Sequence, residues 1–223
     1  MIKYKNLVIV GTSHIAKESL KKVKETIEKE KPDLVALELD KKRFISLIKK
    51  RKTSFSIKTI KKIGLKGFLF AFLSSFISRK LGERVNVLPG SEMLVAYYTA
   101  KKKKIPIALI DQDIEITLKR FSQTFSFKEK IRFLLDILSL PFLAFSKQKL
   151  KINLNKIPKK KFVIMMINHL KRRYPSLYKV LVEERNIIMA KKLFFLMKKY
   201  KKIVVVVGIG HEEGIIHLLK NLS

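Results

Sequence analysis

A chain of 223 residues with 47% hydrophobic and 30% charged content has the material for one substantial folded domain and is too apolar to be disordered. It contains no cysteine, which excludes disulfides and thiolate metal ligands and fits a cytoplasmic chain. Its 50 basic and 18 acidic residues leave a net charge of +32, which attracts polyanions; with 41 lysines to 9 arginines and no nucleic-acid-binding signature, specific reading of bases is set aside.

Four short apolar runs read in chain order as buried parallel strands: 7–10, 34–39, 105–110 and 203–207. They are continuous rather than alternating and rich in β-branched residues, as strands covered on both faces are. The first leads straight into Gly11 and His14, which is not a signal-peptide pattern. A helix then runs to Pro32. Another spans about 91–104 before the third strand, and a short one, "HEEGIIHLLKNL", follows the last. The pattern predicts a single α/β domain over 1–223, with a mostly parallel sheet covered by helices on both faces. Two mainly helical, basic insertions are expected at about 44–88 and 114–200, the second broken near Pro141, Pro158 and Pro175. The apolar stretch "GLKGFLFAFLSSFIS" at 64–78 is too short to span a bilayer and carries Lys66.

Ligands of an open parallel sheet sit beyond the carboxyl ends of its strands. Those ends deliver His14, Glu38, Asp111 and His211, and the two histidines close the matching strings "VGTSH" and "VGIGH". Glu38 lies inside an apolar run, so its carboxylate needs a metal ion, an arginine or a set of hydrogen bonds. Asp40 and Asp113 read as helix N-caps. Glu92 stands in a first helical turn, where the helix dipole by itself accounts for an acid, so it reads equally as a site residue or a cap. Glu184 and Arg185 are adjacent on a helix and point to different partners. The string "HEEGIIH" is not a zinc-protease motif, because its histidines are six residues apart rather than four. His169 reads as a surface or packing residue. No Asp or Glu occurs from 41 to 82 or from 137 to 182, so each insertion contains a long acid-free stretch.

The strings "VGTSHIAKESL", "PDLVALELDKKR", "PGSEMLVAYYTAKKKKIPIALIDQDIEITLKRF", "LVEERNIIMAKKL" and "VVVVGIGHEEGI" together resemble the TraB (TraB/PrgY) family, in its order and over nearly the whole chain. That family is related to the TIKI metalloproteases and, more distantly, to erythromycin-esterase-like and ChaN-like proteins. The resemblance implies that His14 and His211 are the paired site histidines and Glu38 their acidic partner. Arg43, Glu92, Asp111, Arg120, Glu184 and Arg185 match further motif positions. Where the family commonly has Asp-Arg-Asp this chain has Asp111, Gln112 and Asp113, which removes a cation near the site. Many microbial members continue into a membrane-spanning C-terminal region, whereas this sequence stops at Ser223.

The resemblance implies a metal-dependent hydrolase acting on a peptide or small molecule. A divalent ion (Mn, Co or Zn) would be held by His14 and His211, with Asp111 or Glu38 completing the shell. Glu38 or Glu92 would take a proton, and Arg43, Arg120 or Arg185 would steady a carboxylate or an oxyanion. A metal-free version uses His14 and Glu38 as general bases. The other class is a non-catalytic binder of a peptide or signal molecule, TraB-type proteins being associated with blocking peptide pheromones. An anionic membrane surface, with the chain peripheral to it, and self-association are the remaining partners considered.

Overall fold

A computed structural model describes residues 1–12, 17–49, 90–145 and 160–222. His14, Pro158 and most of the first insertion lie outside the described residues.

The sheet has the order β1-β2-β5-β3-β4. Four strands, β2 (Leu7–Thr12), β3 (Leu34–Leu37), β4 (Ile107–Leu109) and β5 (Ile203–Gly208), are parallel, as the continuous apolar runs predict. An antiparallel edge strand, β1 (Ile2–Tyr4), pairs with β2 and is new relative to the sequence reading. Three residues are too few for a periodicity signal, and the reversal is made by Lys5 at φ +47° rather than by a glycine. The central strand is β5, between β2 and β3. Leu7 and Leu34 both align with Ile203, so the two strands that end in the echoed glycine-histidine string lie side by side.

Alternate residues of each strand enter two separate cores. Leu7, Ile9, Leu34, Ile203, Val205 and Val207 pack against helices α8 (Glu184–Met197) and α9 (Glu212–Leu222) through Met189, Leu193, Ile215 and Leu219. Val8, Val10, Val35, Leu37, Val204 and Val206 pack on the other face against α1 (Lys17–Glu30) and α3 (Ser91–Lys102) through Val23, Ile27, Met93 and Ala96. Each fully buried Val, Leu or Ile stabilises the fold by about 1.5–3 kcal/mol over its exposed state. Both faces of the sheet are therefore covered, as expected.

The remaining described helices are α2 (Lys41–Ile48), α4 (Ile114–Thr124), α5 (Phe127–Phe145), α6 (Lys160–Arg173) and the single turn α7 (Pro175–Tyr178). Pro175 does break the chain, standing at the first position of α7 directly after α6. Pro141 does not: α5 runs through it to Phe145. A proline forfeits one helical hydrogen bond, which a helix already four turns long absorbs.

Helices α5 and α6 are fastened by a polar knot. Arg173 Nε donates to Asp136 Oδ2 at 2.7 Å, Arg173 Nη2 and the Tyr174 hydroxyl also donate to that carboxylate, and Arg132 Nη1 donates to the Arg173 carbonyl at 2.6 Å. The Arg173 and Tyr174 hydrogen bonds hold the Asp136 carboxyl down at about 2, against an ordinary 3.8. A depressed carboxyl stabilises the fold above its unfolded pKa, and that contribution is lost as pH falls toward the folded value. Acid titration is therefore expected to loosen α6 from α5 between about pH 4 and pH 2. Asp136→Asn should abolish that step in helix-specific amide exchange; an unchanged acid profile would contradict it.

Candidate functional site

Glu38 follows β3 directly, and its own N–H donates to the Val206 carbonyl of β5 at 3.0 Å, which aims the side chain across the strand ends. Glu38 is 4% exposed. Its Oε2 accepts the Gly208 N–H at 2.6 Å, and its Oε1 accepts from Arg185 Nη2. Both an arginine and a backbone amide thus meet the need that the apolar run created for this carboxylate.

Asp111, just beyond β4, takes the other side of Arg185. Its Oδ1 accepts from Arg185 Nε at 3.0 Å and from the Gln112 N–H at 2.7 Å. Its Oδ2 accepts from Arg185 Nη2 at 2.7 Å and from Arg43 Nη2. Burial pushes the Asp111 carboxyl up, but the Arg185 hydrogen bond and the charges of Arg185 and Arg43 outweigh it and hold it below the usual carboxylate range. Burial works against the charged form of Arg185 too, and Glu38 and Asp111 overcome it and raise its pKa. Arg43 comes from the first turn of α2, where the helix dipole disfavours a cation. Asp40 compensates: it caps α2 by accepting from the N–H groups of Lys42 (2.8 Å) and Arg43 (3.0 Å), and its Oδ2 accepts from Arg43 Nε at 2.5 Å. Asp40→Ala is expected to cost about 0.5–2 kcal/mol for the cap alone, and to free Arg43 from one side. Urea denaturation checks the first expectation; a loss below that range would mean water replaces the cap.

His211 opens α9 and is held by its Nδ1, which lies 2.6 Å from Asn186 Oδ1. An amide oxygen only accepts, so Nδ1 carries the proton and the lone pair of the neutral ring is on Nε2. That atom faces Glu38 Oε1 at 3.4 Å. Two acceptors in that relation repel unless a proton or a cation lies between them. Two ligand atoms about 2.1 Å from one tetrahedral ion stand about 3.4 Å apart, so the pair fits a divalent ion. Room for the Asn186 contact is made by Gly214: a Cβ there would lie 2.2 Å from Asn186 Nδ2. A further carboxylate, Glu212, is 4% exposed in the first turn of α9, and its Oε1 has no hydrogen-bond partner among the described residues. It fits only because residue 11 is glycine, where a Cβ would come 2.4 Å from the carboxylate. Among the described residues no three His, Asp or Glu side chains are grouped as metal ligands, and His14 is not among those residues.

The structure thus joins Glu38, Arg43, Asp111, Arg185 and His211 at one sheet edge. Arg120 and Glu184 instead pair with each other, Nη2 to Oε1 at 2.6 Å, and tie α4 to the start of α8. Adjacent Glu184 and Arg185 do serve different partners. A π-helical turn at Lys179–Glu183 precedes them and shifts the faces that α8 presents. Glu92 is wholly buried in the first turn of α3, after Gly90 at φ +86°. Gln112 turns into α4, donating to Thr117 Oγ1 at 3.0 Å. Sequence reasoning missed Asn186 and Glu212. The signal for Asn186 was present: it shares a helix face with Met189, Ala190 and Leu193, all buried, so a polar residue stood at a core position.

Comparison with known proteins places the chain in a family. A model of the TraB/PrgY/gumN family matches residues 3–223. An uncharacterized protein of Methanocaldococcus jannaschii is 38% identical over 98% of this chain and 54% of its own length. TraB domain-containing proteins of Homo sapiens and Mus musculus are 25% and 24% identical over 93% of this chain and 61% of theirs. The chain thus spans little more than half the length of these relatives. The match over nearly all of its residues, with both glycine-histidine strands inside it, shows that the chain belongs to the TraB/PrgY/gumN family.

Proposed function

We propose that this chain is a metal-dependent hydrolase acting on a peptide, working at the sheet edge where β3 and β5 end. The observation that carries the reading is the 3.4 Å approach of His211 Nε2 to Glu38 Oε1, with Nδ1 already tied to Asn186. Such a pair offers a nitrogen and an oxygen to one divalent ion, with His14 as the further ligand by its motif. A divalent ion bound there would lower the pKa of its water toward neutrality. Every other part is supplied by the chain. Each Asp111 oxygen accepts two hydrogen bonds, against one for each Glu38 oxygen among the contacts described, so the part of Asp111 is to hold Arg43 and Arg185 in place. Arg185 presents Glu38 and balances its charge. Arg43, 31% exposed in its side chain, is the cluster's cation nearest solvent and is placed to steady a substrate carboxylate or a developing oxyanion. The peptide class rests on the resemblance to the TIKI metalloproteases.

The test is metal binding followed by turnover. Calorimetry with Mn, Co and Zn should give stoichiometric binding that a His14→Ala, His211→Ala double variant loses. A quenched-fluorescence peptide library should then show cleavage that requires the metal. If the wild type binds none of the three ions and cleaves no peptide, the proposal fails. The 3.4 Å pair favours one other version, in which a proton rather than an ion lies between His211 and Glu38 and the two act as an acid–base pair. Hydrolysis that persists in chelator and disappears in Glu38→Gln would select it.

A further inference from the structure

Helix α5 divides its side chains between two opposite faces. Glu129, Phe133 and Asp136 turn inward. Glu129 accepts from the N–H groups of Ser126 (3.1 Å) and Ser176 (2.8 Å), Phe133 meets the rings of Phe125 and Tyr174, and Asp136 holds Arg173. The opposite face carries Phe127 (73% exposed), Ile131 (47%), Leu134 (57%), Leu135 (58%) and Leu138 (61%). At about 100° per residue these five form one stripe along the helix, roughly a quarter of its circumference. Lys128 and Lys130 fall on either flank of that stripe. Nothing acidic interrupts it, because the two acids of α5 are the inward-facing Glu129 and Asp136. The 46 residues that follow, 137–182, carry eleven basic residues and no acidic one.

We propose that this face of α5 lies in the surface of an anionic membrane, the stripe entering the boundary between headgroups and acyl chains while the flanking lysines meet lipid phosphates. Charge selects this occupant. A second copy of a +32 chain would bring lysine-flanked faces together and repel. Lysine rather than arginine dominates, which suits diffuse attraction to a headgroup layer more than bidentate recognition of one acidic motif. Among the described residues no helix is long and apolar enough to cross a bilayer, and α5 needs only to lie in its plane. The inference is independent of the hydrolase reading.

The chain has no tryptophan, so Leu134→Trp places a sole reporter in the stripe. The probes are vesicles of phosphatidylcholine alone, and of phosphatidylcholine with about a third phosphatidylglycerol. Expected are a blue-shifted emission and quenching by brominated acyl chains with the anionic vesicles only. A Leu135→Ser, Leu138→Ser variant, unchanged in circular dichroism because both side chains are exposed, should bind those vesicles at least about ten-fold more weakly. Equal binding by the serine variant would reduce the effect to charge and overturn the proposal. So would emission unquenched by brominated chains, or binding that is the same on neutral vesicles. Emission already blue-shifted without vesicles, with a sedimentation coefficient rising with concentration, would assign the stripe to a second copy and overturn it as well.

Discussion

Arg185→Met is expected to lower stability by about 3–5 kcal/mol, the cost of leaving buried carboxylates without their counter-charge. The guanidinium lies between Glu38 and Asp111, whose side chains are 3% and 0% exposed. Methionine keeps much of the volume and none of the charge. Asp111 would retain Arg43, while Glu38 would lose its arginine and keep the Gly208 N–H and the approach of His211. For a chain of this size the loss corresponds to a melting point lower by roughly 10 °C. The deficit should also depend on pH, with a definite sign. In the wild type the arginines depress the Asp111 carboxyl, so the cluster is at full strength above the ordinary carboxylate range. In the variant, Glu38 loses the guanidinium that offsets its burial, so protonation relieves the strain and the two proteins should converge as pH falls. Arg185→Lys keeps the charge but cannot serve both carboxylates and should fall between them. A methionine variant that melts within about 2 °C of wild type at pH 7 would show that the carboxylates find other partners.

Gly214→Ala is expected to impair the site with little effect on the fold. Alanine is the better helix former by up to about 1 kcal/mol, so stability should hold or rise slightly. The new methyl group, however, occupies the place of the Asn186 side-chain amide, which must swing away from His211. Loss of a residue that orients a metal-binding histidine typically reduces metal affinity or activity about 10–100-fold. Asn186→Leu should match that loss and add about 1–3 kcal/mol of destabilisation, since the His211 N–H would be left buried without an acceptor. Nitrogen chemical shifts of the imidazoles give a readout that a purely structural role would not move. With four histidines in the chain, the His211 signals can be assigned by substitution. Wild type should show the proton on Nδ1, and both variants a mixture of tautomers. A wild-type ring protonated on Nε2 alone would sink the argument before any activity is measured.

Local chemistry was legible in the order of the residues. Continuous β-branched runs declared four buried parallel strands with helices on either side; all four are parallel and three are buried, while β4, at the edge of the sheet, is only half-buried. Asp40 and Asp113 were legible as caps because an N-cap depends on residues two or three positions away. Glu38 announced that it needed a partner, and the Glu184–Arg185 step announced two, because burial and helix geometry are readable from neighbours.

The identity of the partners emerges from the folded arrangement. Placing β5 between β2 and β3 makes the two echoed strands neighbours, and no periodicity reports strand order. Arg43 meets Asp111 across 68 residues, and Arg185 meets Glu38 across 147. The orientation of His211 comes from Asn186, and the space for that contact from a missing Cβ at Gly214. Local patterns record how deeply a residue is buried. Which groups meet depends on long-range pairing and close packing, whose free energy arises only when the whole sheet is assembled.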